Sequence, residues 1–133
     1  MTIDDLKNVR RQRLRVITLQ ERIDRLRSRA EYTQRQLGEC GASDPARDRL
    51  AEYAADLDEL ESELTGEMIT LERAVMAVDP ALAALPPNQE IVLRLRYCEG
   101  KKWKEVAAGA RYSEGHCRNV NRRFIKEITQ NYI

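Results

Sequence analysis

Aromatic side chains are scarce, at 5% of 133 residues, and no apolar run approaches a membrane span. A spanning helix needs roughly 20 such residues in succession, so the sequence predicts a protein that does not cross a membrane. Six glycines and four prolines are too few for the many turns of an all-β sandwich. Histidine occurs once, as His116. No group of ligands lies at the short spacings a zinc site needs, and no Gly-x-Ser-x-Gly, P-loop or glycine-rich phosphate loop is present. The expectation is a protein with no enzymatic activity, no metal and no cofactor. Cys40, Cys98 and Cys117 are far apart and form no Cys-x-x-Cys pair, which suits three separate thiols in a reducing compartment. The first residues are acidic and lack the apolar core of a signal peptide. Together these features predict a cytoplasmic protein.

Charge is what the chain has in abundance: 34% of residues are charged and 42% hydrophobic, with a mean hydropathy of −0.62. The apolar residues recur with a helical period, which argues against disorder. The net charge of +1 hides three blocks. Residues 1–38 carry 10 basic and 5 acidic side chains, residues 39–79 carry 3 and 12, and residues 80–133 carry 10 and 5. A basic, an acidic and a basic block in succession suggest a division of labour.

Residues 1–79 read as two long helices. From Ile3 to Leu37 there is no Pro or Gly, and Val9, Val16, Ile23, Ala30 and Leu37 recur every seven residues. Leu19 and Leu26 fill the intervening positions, with polar Gln12 and Thr33 in the same register. Such a stripe buries one helix face against another. The second helix starts at Asp44-Pro45, a cap followed by a residue suited to the first turn. It repeats the stripe in Leu50, Leu57, Leu64, Leu71 and Val78, with Tyr53, Leu60 and Ala74 between and Glu67 as the misfit. Pro80 is expected to end it near Asp79. The link Gly38-Glu39-Cys40-Gly41-Ala42-Ser43 favours folding back into an antiparallel hairpin, in which the basic arm meets the acidic one. Leu6, Leu14 and Ile17 lie off the stripe and are expected to stay partly exposed. That predicts a homodimer or docking on another protein; the alternative is a hairpin that serves as a spacer.

Residues 80–133 read as short helices. Leu82 to Pro87 forms a short helix or turn and a stop. Pro87 opens a helix to about Cys98, ended by Gly100. A further helix covers about Lys102 to Gly109, with Trp103, Val106, Ala107 and Ala110 as its apolar face. Arg111-Tyr112 makes a turn, and Ser113 caps a last helix running to about Gln130. On that helix Cys117, Val120, Phe124 and Ile128 point inward, opposite Arg118, Asn119, Arg122, Arg123 and Lys126. Two short helices joined by a tight turn, the second basic outside, describe a DNA-binding helix-turn-helix. Arg can fork onto guanine, Asn can pair with adenine, and Lys or Arg can neutralise phosphates. An ordinary solvated face is the competing reading of the same pattern. The fold class expected is therefore all-α, a coiled-coil hairpin (1–79) followed by a helix-turn-helix domain (80–133).

The run Leu85-Pro86-Pro87-Asn88-Gln89-Glu90-Ile91-Val92-Leu93-Arg94-Leu95-Arg96-Tyr97-Cys98-Glu99-Gly100 resembles the start of region four of bacterial sigma factors. Trp103-Lys104-Glu105-Val106-Ala107 is similar to the aromatic-x-Glu-Ile-Ala helix that follows there, and Ser113-Glu114-Gly115 falls where the recognition helix begins. The resemblance covers about residues 82–130. Trp103 and Tyr112-Ser113 look more like phage-encoded late-transcription regulators of the RinA and ArpU type. No segment resembling sigma region two is visible. The chain departs from the pattern at Glu90, where the family has Arg, at Ala110 for Leu, at Arg111 for Gly, at His116 for Thr or Arg, and at Cys117 for Val or Ile. Arg111 is expected to strain the turn or reach a phosphate, and Gly115 to lower helix propensity.

By matching position, the resemblance implies base-edge contacts at Glu114, His116, Arg118 and Asn119, at the helix that Ser113 opens. It implies phosphate contacts at Lys101, Lys102, Lys104, Arg122 and Arg123, with Arg111 beside them in the turn. Trp103 is read as core, and Cys98 and Cys117 as small buried residues. The function implied is a phage or prophage transcription regulator whose partners are double-stranded DNA, a second copy of the chain and RNA polymerase. Two alternatives stand beside it. One is a DNA-packaging protein like a small terminase subunit. The other is an interaction module that mimics region four without binding DNA.

Overall fold

The structure, a computed structural model, describes residues 1–40 and 44–130, without the side chains of Glu39, Cys40 and Asp44. The expected cap at Asp44 and the linker residues Gly41-Ala42-Ser43 lie outside the described residues. The described chain is all-helical, with no strand. Helix α1 spans Ile3–Cys40, α2 Asp44–Ala83, α3 Pro87–Leu93, α4 Trp103–Ala110 and α5 Glu114–Gln130. A π-helical segment, Arg94–Cys98, continues α3. Contacts divide the chain into two compact units, Met1–Leu14 with Ile69–Ile133, and Arg15–Met68.

In the unit Arg15–Met68, burial follows the heptad stripe. Val16, Leu19, Ile23 and Thr33 are buried on α1, and Leu50, Tyr53, Leu57, Leu60 and Leu64 half-buried on α2. Arg27 Nη2 lies 2.6 Å from Glu61 Oε1. Arg22, Arg25 and Arg29 of α1 line one groove together with Asp56, Glu59 and Glu63 of α2, with Leu26 and Leu60 among them. Basic α1 thus meets acidic α2 along a shared edge. The Arg27–Glu61 pair is about half exposed on both sides, so it contributes at most about 1 kcal/mol.

In the other unit, α1 starts at a reciprocal cap. The Asp5 amide donates to Thr2 Oγ1 at 3.2 Å, and the Thr2 amide donates to the Asp5 carboxylate at 2.8 Å. The bond from the Thr2 amide is the main cause that holds the Asp5 carboxyl below its ordinary range. Leu6 and Val9 are fully buried, so Leu6 is not the partly exposed residue its place off the stripe suggests. Leu14 is exposed and Ile17, in the first-described unit, half-buried. The polar seam residue Gln12 is buried, and no buried side-chain nitrogen or oxygen among the described residues lacks a partner.

Helix α2 does not end at Asp79. It runs through an exposed Pro80 to Ala83. Proline removes one backbone donor from a helix interior and crowds the preceding turn. Here Val78 and Leu82, on either side of it, are both fully buried, and that burial offsets the lost bond. Each such side chain is worth roughly 1.5–3 kcal/mol. The stop comes instead at Leu85-Pro86.

The helix from Pro87 is also not regular throughout. After Leu93 it widens, and the Glu99 amide donates five residues back to the Arg94 carbonyl at 3.0 Å. Gly100, at φ 71°, then breaks the chain direction. The wide turn leaves carbonyls without helical donors, and α1 supplies them. Arg10 Nη1 donates to the carbonyls of Arg96 (2.8 Å) and Lys101 (3.0 Å), and Arg13 Nε to that of Cys98 (2.7 Å). Cations are also favoured at this negative end of a helix. Arg94 joins Asp79 at 2.8 Å and Glu90 at 3.0 Å. The hydrogen bond to Asp79, more than that to Glu90, holds its guanidinium above its ordinary pKa against the opposing effect of burial. Glu90, acidic where the sigma pattern is basic, thus has a local cationic partner four residues on.

Candidate nucleic-acid interface

The core beneath α4 and α5 is small. Val92, Val106 and Cys117 are fully buried together, with Leu95, Trp103, Ala107, Ala110 and Val120 packed against them. Phe124 is buried further along α5. The inward residues at 117, 120 and 124 follow the helical period, which leaves the other face of α5 outside. Tyr97 ties the π segment to that helix, its hydroxyl donating to Asn121 Oδ1 at 2.7 Å. Burial pushes the Tyr97 phenol above its ordinary pKa, more than the bond to Asn121 lowers it.

Local sequence sets both helix starts. The Lys102 amide donates to the Glu105 carboxylate at 3.1 Å, one half of a capping box. Ser113 does what the sequence suggests: its hydroxyl accepts from the His116 amide at 3.1 Å, three residues into the turn. Between the helices Arg111 takes the left-handed conformation, φ 61° and ψ 39°, and its amide closes α4 on the Ala107 carbonyl. This is the geometry that favours glycine, so the departure at 111 is accommodated by strain and not by a different turn.

The residues singled out as DNA contacts lie on the surface. Lys102, Lys104, Arg111, Ser113, Glu114, His116, Arg118, Asn119, Arg122 and Arg123 are exposed, and Lys101 is half-buried. Several touch one another. Arg118 lies 3.9 Å from Glu114, and Arg122 Nη1 donates to Asn119 Oδ1 at 3.4 Å. The His116 ring sits 4.7 Å from that of Tyr112 at 55°.

Trp103 is half-buried, not a fully enclosed core residue. It packs on the Val92–Val106–Cys117 cluster and also meets two guanidiniums, Arg96 at 4.4 Å and Arg118 at 5.6 Å from the ring centroid. Cation–π contacts of this kind attract a guanidinium to the ring face, each worth about 0.5–1 kcal/mol at exposed sites. Arg96 and Arg10 were missed by sequence reasoning. The only available signal was the basic excess of the first block, which does not say which arginine turns toward residues 94–101.

Cys98 and Cys117 are buried and free, as expected of small apolar residues. Burial is the main cause that pushes both thiols above the ordinary value. Among the described residues no group of three or more His, Cys, Asp or Glu is arranged to hold a metal, and no helix is long and apolar enough to cross a membrane.

No curated protein and no solved structure matches this chain. A family model does match it over residues 10–130, nearly its whole length, and the chain belongs to that family, described as "Protein of unknown function (DUF722)".

Proposed function

We propose that this chain is a non-enzymatic transcription regulator of phage or prophage type that binds duplex DNA in sequence-specific fashion. The observation that carries the reading is the two-sidedness of α5. Cys117 and Phe124 are buried in its own unit, while Arg118, Asn119, Arg122 and Arg123 are exposed on the other side. In this reading α4 and α5 form the helix-turn-helix, and α5 enters the major groove from Ser113 onward. Arg118 and Asn119 read base edges with Glu114 and His116. Lys101, Lys102, Lys104, Arg111, Arg122 and Arg123 hold phosphates. Helices α1 and α2 form an antiparallel hairpin that dimerises the protein or contacts a partner such as RNA polymerase. The opposite charges meeting at Arg27–Glu61 and around the Leu26–Leu60 groove support that pairing.

The test is DNA selection followed by variants. Arg118→Ala relaxes base preference at a cost of roughly 1–3 kcal/mol. Arg122→Ala weakens all sequences alike and flattens the salt dependence. Unchanged binding in both variants refutes the groove assignment.

A second reading has one observation of its own. Ile91 is 41% exposed and lines an open groove with Pro87, Leu95 and Cys98. Residues 113–133 carry only 4 basic and 2 acidic side chains. A region-four mimic that binds protein through this groove shows polymerase binding with no DNA affinity at low salt. A packaging protein instead forms ring-sized oligomers and selects a packaging site.

A further inference from the structure

Two guanidiniums converge where the chain turns between the π segment and α4. Arg10 Nη1 and Arg96 Nη1 donate to the same carbonyl, that of Lys101, at 3.0 and 3.1 Å. Sharing one acceptor puts the two cations within a few ångströms of each other, a costly placement for like charges. No carboxylate lies within salt-bridge distance of either among the described residues; the ion pairs of this unit are those of Arg94 and Arg118. The Arg96 guanidinium is held below its ordinary pKa by burial first, then by the charge of Arg10, with Arg118 adding to it.

Capping the turn does not need this arrangement, since one donor satisfies the Lys101 carbonyl. Arg10 uses the hydrogens of Nη1 on two carbonyls, which leaves its Nη2 and Nε as donors. Both arginines are half-buried and keep access to solvent. Fixed, uncompensated guanidinium forks are what a phosphate oxygen pair fits. Position agrees with this. Arg96 stacks on the same indole as Arg118, so the cluster adjoins the first turns of α5. All of these residues lie in one compact unit.

We infer that Arg10 and Arg96 together bind a backbone phosphate of duplex DNA, so that α1 is part of the DNA interface and not only an arm for assembly. This rests on the DNA-binding reading and adds a contact from outside the helix-turn-helix.

The experiment measures duplex binding over a salt series for the full chain and for Arg10→Gln, Arg96→Gln and Arg10→Lys, with helix content checked by circular dichroism. Each phosphate contact removed makes the slope of log K against log salt shallower by about 0.9. The expected result is that loss in each Gln variant, equal for specific and random duplexes, with Arg10→Lys recovering most of it. Should Arg10→Gln fail to fold, Arg96→Gln and Arg10→Lys carry the comparison. Unchanged slopes in folded variants, beside a clear loss in Arg118→Ala, overturn the site while leaving the DNA reading intact. A wild-type chain without duplex affinity at low salt overturns both. Inorganic phosphate serves as the control ligand. If millimolar phosphate raises the wild-type melting temperature, fails to raise that of Arg96→Gln, and competes no duplex away, the cluster takes free anions and the inference about DNA is wrong.

Discussion

Arg111 offers a prediction in which stability and binding move in opposite directions. Its φ of 61° and ψ of 39° lie in the left-handed region. For a residue with a Cβ that conformation costs roughly 1–2 kcal/mol, because Cβ crowds the following carbonyl. Glycine avoids the crowding but loses about 0.5–1 kcal/mol more conformational entropy on folding. The difference leaves Arg111→Gly more stable than wild type by about 0.5–1 kcal/mol. For a chain between the sizes usually tabulated, that is a rise in Tm of about 2–5 °C. Arg111→Ala keeps the Cβ and gains nothing, so the two variants must differ. Arg111 is exposed, and no hydrogen bond or ion pair from its side chain is seen among the described residues, so no lost contact confuses the comparison. Thermal melts of the three proteins at one pH measure the effect. In the DNA reading the same Arg111→Gly loses a phosphate contact and binds all duplexes more weakly. Equal melting of Gly and Ala variants refutes the strain argument. Higher stability with unchanged DNA affinity refutes the phosphate role.

Gly100→Ala is expected to destabilise the fold by roughly 0.5–1 kcal/mol in denaturant titration, the left-handed penalty at φ 71° less the extra entropy a glycine loses on folding, imposed where the π segment ends. Tyr97→Phe removes the hydroxyl that donates to Asn121 at 2.7 Å and leaves that carbonyl oxygen without its partner, a loss of about 1 kcal/mol. Equal stability of Tyr97→Phe and wild type means the bond does not form in solution. Stability also falls at alkaline pH. Cys98, Cys117 and Tyr97 all have folded pKa values raised above the unfolded ones. An acid whose folded pKa is raised contributes its full stabilisation below the unfolded value, near 8.5 for a thiol and 10 for a phenol, and loses it as pH climbs through the folded value. Unfolding midpoints measured from pH 8 to 10.5 should decline, and Cys117→Ala should decline less steeply than wild type.

The parts of the fold that local chemistry controls were readable in advance. Periodicity alone identified the buried stripe of α1, including the polar Gln12 and Thr33, because a heptad fixes which side chains share a face whatever their polarity. Ser113, the Arg111 turn and the inward set at 117, 120 and 124 were equally legible, since caps and turns act within four residues. Two features were not. Pro80 reads as a helix stop by its backbone chemistry, and only tertiary burial of Val78 and Leu82 carries the helix past it. The π segment has no marker in Arg94-Leu95-Arg96-Tyr97-Cys98. Its carbonyls are satisfied by Arg10 and Arg13, more than 80 residues away in sequence, a distance over which no local rule operates. Trp103 sits between these cases, since its hydrophobic spacing placed it against the core while the two arginines on its face came from other elements.

The basic block of residues 1–38 illustrates why summed charge is a weak guide to role. Read as a block, its arginines all serve to attract the acidic arm. In the structure they divide by position along α1. Arg27 meets Glu61, and Arg22, Arg25 and Arg29 line a groove with carboxylates. Among the described residues, Arg10 and Arg13 donate to backbone carbonyls of residues 96–101 and form no ion pair. A guanidinium paired with a carboxylate is neutralised locally, whereas one bonded to carbonyls keeps its full charge and projects it outward. Arg10 and Arg13 therefore add positive potential beside Arg96 and Lys101, while the charge of Arg27 is offset by Glu61. A sequence with the same composition but the carbonyl-capping arginines moved one turn along α1 has the same net charge and the same heptad. It loses both the support for the π segment and the field beside Arg96 and Lys101.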